Sequence, residues 1–192
     1  MIIDVDWDWD HDEDGWDAAL KPIGERTPHK ETFESWWKRC KHHVPNLHPM
    51  IAEQWIYRHW GETHYGYLPL RQLTWRLEIW SSADIFDRIY VRPNFGELHP
   101  ENDFKWTQGN EFKALNLKET EPHKSLAATG TWNYPILVIE TPEGVRTEGE
   151  HIKDVRFCLI EGHTRFRFLK AWEEGRAFTA EQHEIFVLNL TP

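Results

Sequence analysis

The sequence predicts an α+β fold: a small mixed β-sheet with flanking helices, preceded by an N-terminal helical hairpin. Three observations carry that expectation. Short apolar runs of strand length end the chain's second half, at Pro135 to Ile139, Val155 to Ile160 and Glu184 to Leu190. Between them lie segments of helical period, so strands and helices alternate only in part. Upstream, two helix-length apolar stripes are separated by Pro45 and Pro49, the arrangement of a helical hairpin.

Taken in order, residues 1–20 alternate acids with Ile3, Val5, Trp7 and Trp9. Period two predicts an edge strand with one packed face, and the acids would guard that edge. Asp10-x-Asp12-x-Asp14-Gly15 opens like a calcium loop, but Lys21 stands where such a loop needs a bidentate Glu. Residues 21–30, with Pro22, Gly24 and Pro28, read as a linker. Thr32 to His43 reads as a helix with Phe33, Trp36, Trp37 and Cys40 on one stripe and Lys38, Arg39 and Lys41 as a basic face. A second helix opens at Pro49, carries Ile51, Trp55, Ile56 and His59, and ends at Gly61.

Residues 68–73 form a short extended lead-in, and Ser82 caps a helix through Ile85, Phe86 and Ile89 that ends before Pro93. Residues 93–121 carry no clear period. His123 to Ala128 is a short helix ended by Gly130, and residues 141–149 are a turn-rich loop. The final helix spans Thr164 to Glu174. These elements group into an acidic arm and linker (1–30), a Trp-rich hairpin (31–65) and a main α+β domain (66–192).

Composition narrows the function classes. The net charge is −10, but eight acids and no Lys or Arg fall within residues 1–20, so the body is nearly neutral. A global electrostatic grip on DNA is not indicated; the acidic arm reads as a solvated terminus, with imitation of DNA phosphates or docking on a basic protein partner as the alternative. The 12 Trp supply core and groove area. Cys40 and Cys158, far apart in apolar stretches, read as buried thiols of a cytoplasmic protein rather than a disulfide. No run approaches the length of a membrane span, and no early apolar run follows basic residues as a signal peptide would. Cysteine and histidine spacings give no zinc pattern.

The chemistry concentrates at residues 155–172. An apolar run breaks at Glu161-Gly162-His163, and a helical pattern follows with Phe166, Leu169 and Trp172 on one face. Free N–H groups and the helix dipole favour an anion at such a start. Beside it fall a carboxylate (Glu161), an imidazole (His163), a hydroxyl (Thr164) and a guanidinium (Arg165), the set that phosphoryl chemistry uses. The rival reading is an ordinary strand-to-helix turn with Arg165 on a solvated face.

From residue 67 onward the chain resembles the ParB/sulfiredoxin superfamily. Pro69-Leu70-Arg71-Gln72-Leu73 is similar to that family's opening, Gly130-Thr-Trp-Asn-Tyr-Pro135-Ile-Leu-Val to its Gly-to-Pro lead into a strand, and Leu159-Ile160-Glu161-Gly162-His163-Thr164-Arg165 to its acid-Gly-x-x-Arg box. The resemblance implies a phosphate site at the following helix, ATP or CTP with Mg as cofactor, and hydrolysis or transfer of phosphate, with DNA cleavage and plasmid partition among the family's activities. It implies that Gly162 permits close phosphate approach, that His163, Thr164 and Arg165 hold phosphate, that Glu161 acts as base or through Mg, and that Lys124 adds a phosphate contact. Thr164 interrupts the paired arginines usual in partition proteins, and His163 replaces the sulfiredoxin cysteine, so sulfinic repair is not expected. The alternative function is a non-catalytic interaction or inhibitor module built on the same scaffold.

Overall fold

A computed structural model describes residues 2–6, 15–60, 65–92, 119–147, 149–175 and 177–191. Among the described residues the content is mixed α+β, with five helices and two small mixed sheets. The chain divides into two compact units: Met1–Arg76, Glu140–Asp154 and Leu188–Pro192 make the first, Leu77–Ile139 and Val155–Val187 the second.

In the first unit, β1 (Ile3–Asp4) is short and pairs in parallel with β5 (Val145–Thr147), which pairs antiparallel with β6 (Glu150–Ile152). The hairpin β5–β6 occupies a stretch read from sequence as loop; three-residue strands are too short to display a period. Tyr67 fixes β1: its hydroxyl accepts from Asp4 N at 2.8 Å and donates to Asp4 O at 3.0 Å. The calcium-like Asp10 to Asp14 and Gly61 lie outside the described residues.

Helix α1 (Phe33–Cys40) starts where Thr32 caps Ser35 N, and it stops earlier than the periodicity suggests. Its stripe buries Trp36 and Cys40, and the Trp36 indole donates to Leu20 O at 2.7 Å. The expected basic face is partly internal work. Arg39 donates to the carbonyls of Ala19 (2.7 Å) and Lys21 (2.9 Å) and pairs with Glu31. Helix α2 (Pro49–Ile51) opens at its proline and widens into a π-helical turn over Ala52–Tyr57 that buries Trp55 and Ile56. The short helical turn Leu70–Gln72 then leads into β2 (Leu73–Trp80). That strand was passed over from sequence although Leu73, Trp75, Leu77 and Ile79 alternate with Thr74, Arg76 and Glu78; most of its apolar stripe is exposed rather than buried.

In the second unit, α3 (Ser82–Arg88) is capped by Ser81 rather than Ser82, and the chain leaves the helix at Ile89 to form β3 (Ile89–Tyr90), parallel to β7 (Phe157–Glu161). The sequence reading carried the helix through Ile89. That residue is buried as a strand residue instead, since one apolar position satisfies either period. Residues 93–118 lie outside the described set. Helix α4 (Glu121–Thr129) ends at Gly130, left-handed at φ 72°, as a glycine C-cap does. Strand β4 (Ile136–Glu140), helix α5 (His163–Glu174) and strand β8 (His183–Leu190) match the expected elements within a residue or two.

The five-stranded sheet runs β2-β8-β4-β7-β3. Its central strands are apolar on both faces, as in Ile136–Ile139 and Phe157–Ile160, the pattern of strands covered on two sides. The second unit's core joins Ile136, Val138, Leu159, Phe168, Leu169 and Ile185. Ring contacts of His123 with Phe168 (5.6 Å) and Trp172 (5.0 Å) pack α4 on α5. Both cysteines are buried free thiols, and burial pushes the Cys40 thiol up from its ordinary pKa. Among the described residues no helix is long and apolar enough to cross a membrane.

Candidate functional site

The turn from β7 into α5 lies where the sequence places it. Glu161 is the last residue of β7, Gly162 the N-cap, and His163, Thr164 and Arg165 the first helical residues. Gly162 takes φ 103°, a left-handed conformation with no side-chain cap, and Phe166 N bonds its carbonyl at 2.8 Å. A Cβ there would stand 2.7 Å from Ile136 Cγ2 and 3.2 Å from Arg165 Nη2. Glycine is therefore required by the chain's own packing against β4 as well as by the turn.

Arg165 is 7% exposed, so it is not on a solvated face. One terminal nitrogen donates to Tyr134 O at 2.8 Å and Pro135 O at 3.4 Å. The other meets Glu161 Oε1 at 3.2 Å. The guanidinium thus ties the residues before β4 to the end of β7. Charge-assisted bonds to two carbonyls and a carboxylate satisfy a buried cation, which makes Arg165 a residue that shapes the turn. Glu161 remains partly exposed at 20% of its side chain, His163 is half-buried and Thr164 exposed. Lys124, on α4, pairs with Glu119 at 3.5 Å and Glu121 at 3.6 Å, carboxylates of its own segment. Of the aromatics near the box, Trp132 is buried, its indole donating to Glu184 O at 2.8 Å.

Two further constellations left no sequence signal. His183 is buried, with Nε2 3.0 Å from Ser82 Oγ and Nδ1 2.9 Å from Thr131 Oγ1. Burial lowers its pKa, against a smaller opposing pull from Glu173. A neutral imidazole bridging two hydroxyls uses one nitrogen as donor and one as acceptor. Residues 101 and 52 apart have no local period to announce them. In the first unit, a cleft of about 310 Å³ is lined by Trp16, Tyr67 and Leu68, with Asp17, His43 and Arg71 among its polar groups. Asp17 lies 3.4 Å from His43 Nδ1, and Arg71 Nε donates to His43 O at 3.0 Å. The sequence reading left Asp17 in an acidic arm and His43 at a helix end.

Among the described residues no three His, Cys, Asp or Glu side chains converge to hold a metal ion. No family model, curated protein or solved structure matches this chain.

Proposed function

We propose that the second unit binds a nucleotide by its phosphates at the start of α5 and hydrolyses or transfers the terminal phosphate. The observation that carries this reading is a twelve-residue helix that opens on a left-handed glycine with no side-chain cap, directly after a strand-end carboxylate. The first N–H groups of a helix have no intrahelical acceptor, and the dipole adds partial positive charge there. An anion is the ligand those groups favour.

The roles differ from a simple basic clamp. Main-chain N–H groups of His163 and Thr164 meet phosphate oxygens, and the His163 imidazole and Thr164 hydroxyl add donors. Arg165 is a positioning residue, holding the turn against the carbonyls of Tyr134 and Pro135. Glu161 is the base or the protein's ligand to Mg. A magnesium bound chiefly through phosphates and water needs only one or two carboxylates, so this donor set fits it. When bound, the ion would neutralise charge on the transferring phosphate. The similarity to the ParB/sulfiredoxin box supports the same assignment.

Thermal denaturation with ATP, CTP and GTP, with and without magnesium, tests the reading. A nucleotide at 100 times its dissociation constant adds about 2.7 kcal/mol of stability. At this chain length that is a rise of about 5–10 °C. His163→Ala is expected to abolish the rise while leaving the melting point without nucleotide near that of the wild type. No rise with any of the three nucleotides overturns the proposal.

A further inference from the structure

The cleft of the first unit has no part in the nucleotide reading, and its whole lining falls within that one unit. Three segments build it: residues 15–20, residues 43–44 and residues 66–72. Its walls are apolar and held from behind. Leu20, Val44, Leu68 and Leu70 are buried. The Trp16 ring meets Trp55 edge-on at 5.2 Å and Trp60 at a tilt at 5.7 Å. From α1, Trp36 and Arg39 donate to the carbonyls of Ala19, Leu20 and Lys21. On the other wall, Asn46 Nδ2 donates to Leu70 O at 2.8 Å. A site shaped before binding loses little freedom when a ligand enters.

The polar lining carries two opposite charges that are not paired with each other. Arg71 commits its Nε to His43 O at 3.0 Å, and among the described residues its two terminal nitrogens have no partner. That leaves the end-on edge of the guanidinium, which takes a carboxylate through two parallel bonds. Asp17 Oδ1 accepts from Ala19 N at 2.9 Å, and Oδ2 lies 3.4 Å from His43 Nδ1. That nitrogen makes no hydrogen bond, so Oδ2 keeps its capacity to accept from a ligand. Asp17 approaches the His43 ring and Arg71 bonds its carbonyl, so the two charges share one end of the cleft.

We propose that this cleft binds a free amino acid with an apolar side chain. The carboxylate takes the Arg71 fork, the ammonium takes Asp17, and the side chain lies against Trp16, Leu68 and Leu70. A ligand with only a carboxylate brings a like charge to Asp17, and one with only an amine brings a like charge to Arg71. A zwitterion answers both. The cleft's volume of about 310 Å³ is at the small end of ligand sites, which suits one amino acid better than a peptide or a nucleotide.

The proposal is independent of the nucleotide reading, because the two sites lie in different units. Equilibrium dialysis of the full chain against L-phenylalanine and L-leucine tests it. At least one is expected to be retained saturably. Its N-acetyl derivative, which lacks the ammonium, and its amide, which lacks the carboxylate, are each expected to bind about tenfold or more weakly, the worth of one hydrogen bond to a charged group. Arg71→Met and Asp17→Asn are expected to weaken the parent amino acid by the same factor. Both positions are exposed, and Asn keeps an oxygen for Ala19 N, so circular dichroism of both variants should match the wild type. The two derivatives probe the same contacts on the wild type with no substitution at all. Absence of saturable retention of either amino acid overturns the proposal. So does a derivative that binds as tightly as its parent, or a pair of variants that bind like the wild type.

Discussion

Replacing Arg165 by alanine separates a solvated arginine from a buried one. The wild-type guanidinium is almost fully enclosed and bonds two carbonyls and the Glu161 carboxylate. Truncation removes the donor that all three acceptors share, in a site with limited access to water. Removing one partner of a buried charged network costs about 3–5 kcal/mol. Glu161 keeps some contact with solvent, which places the expectation at the lower end, near 3 kcal/mol. At about 2–4 °C per kcal/mol for a chain of this size, melting should fall by about 6–12 °C in scanning calorimetry. A surface arginine with one ion pair would cost at most about 1 kcal/mol. Arg165→Lys should recover less than half, because a single ammonium cannot reach both carbonyls and the carboxylate in fork geometry. In a double-mutant cycle with Glu161→Gln, the coupling should be about 1–2 kcal/mol. An alanine variant that melts within about 1 °C of the wild type refutes the buried-tie account.

Gly162→Ala meets both a positive φ and Ile136 Cγ2 at 2.7 Å. Strain of about 1–2 kcal/mol plus overpacking of about 1–3 kcal/mol should lower the urea midpoint, with the slope unchanged. His183 gives a pH dependence of definite sign. Burial favours its neutral form, so below the ordinary value of 6.5 the unfolded chain binds the proton that the folded chain resists. Stability is complete above that value and declines as pH falls through it; urea midpoints for His183→Gln should show a flatter decline between neutral pH and pH 5. Tyr67→Phe removes both bonds to the Asp4 main chain, so hydrogen exchange at Asp4 should accelerate while α1 amides keep their protection. Ser81→Ala deletes the cap on Asp84 N and should cost about 1 kcal/mol by chemical denaturation.

Much of the second unit was legible because its elements announce themselves locally. Gly130 and Gly162 mark a helix end and a helix start by conformations few other residues adopt, and the runs at Ile136–Ile139 and Phe157–Ile160 are apolar throughout because both faces are covered. Strand β2 was missed although Leu73, Trp75, Leu77 and Ile79 alternate with Thr74, Arg76 and Glu78; most of its apolar stripe is exposed rather than buried. Strand β3 escaped because two residues following a helix carry no pattern of their own.

The candidate site divides in the same way. Sequence alone determined that a carboxylate, a glycine, an imidazole and a guanidinium fall on one strand-to-helix turn, since that is a matter of adjacency and helix register. Only the tertiary structure decided where the guanidinium spends its hydrogen bonds. Its acceptors at Tyr134 and Pro135 lie some thirty residues upstream, and no local rule connects them. The Ser82–His183–Thr131 bridge and the Asp17–His43 pair are also products of chain folding. Periodicity and turn chemistry act over a few residues, whereas the desolvation that fixes a buried group's partner depends on which distant segments the core brings together.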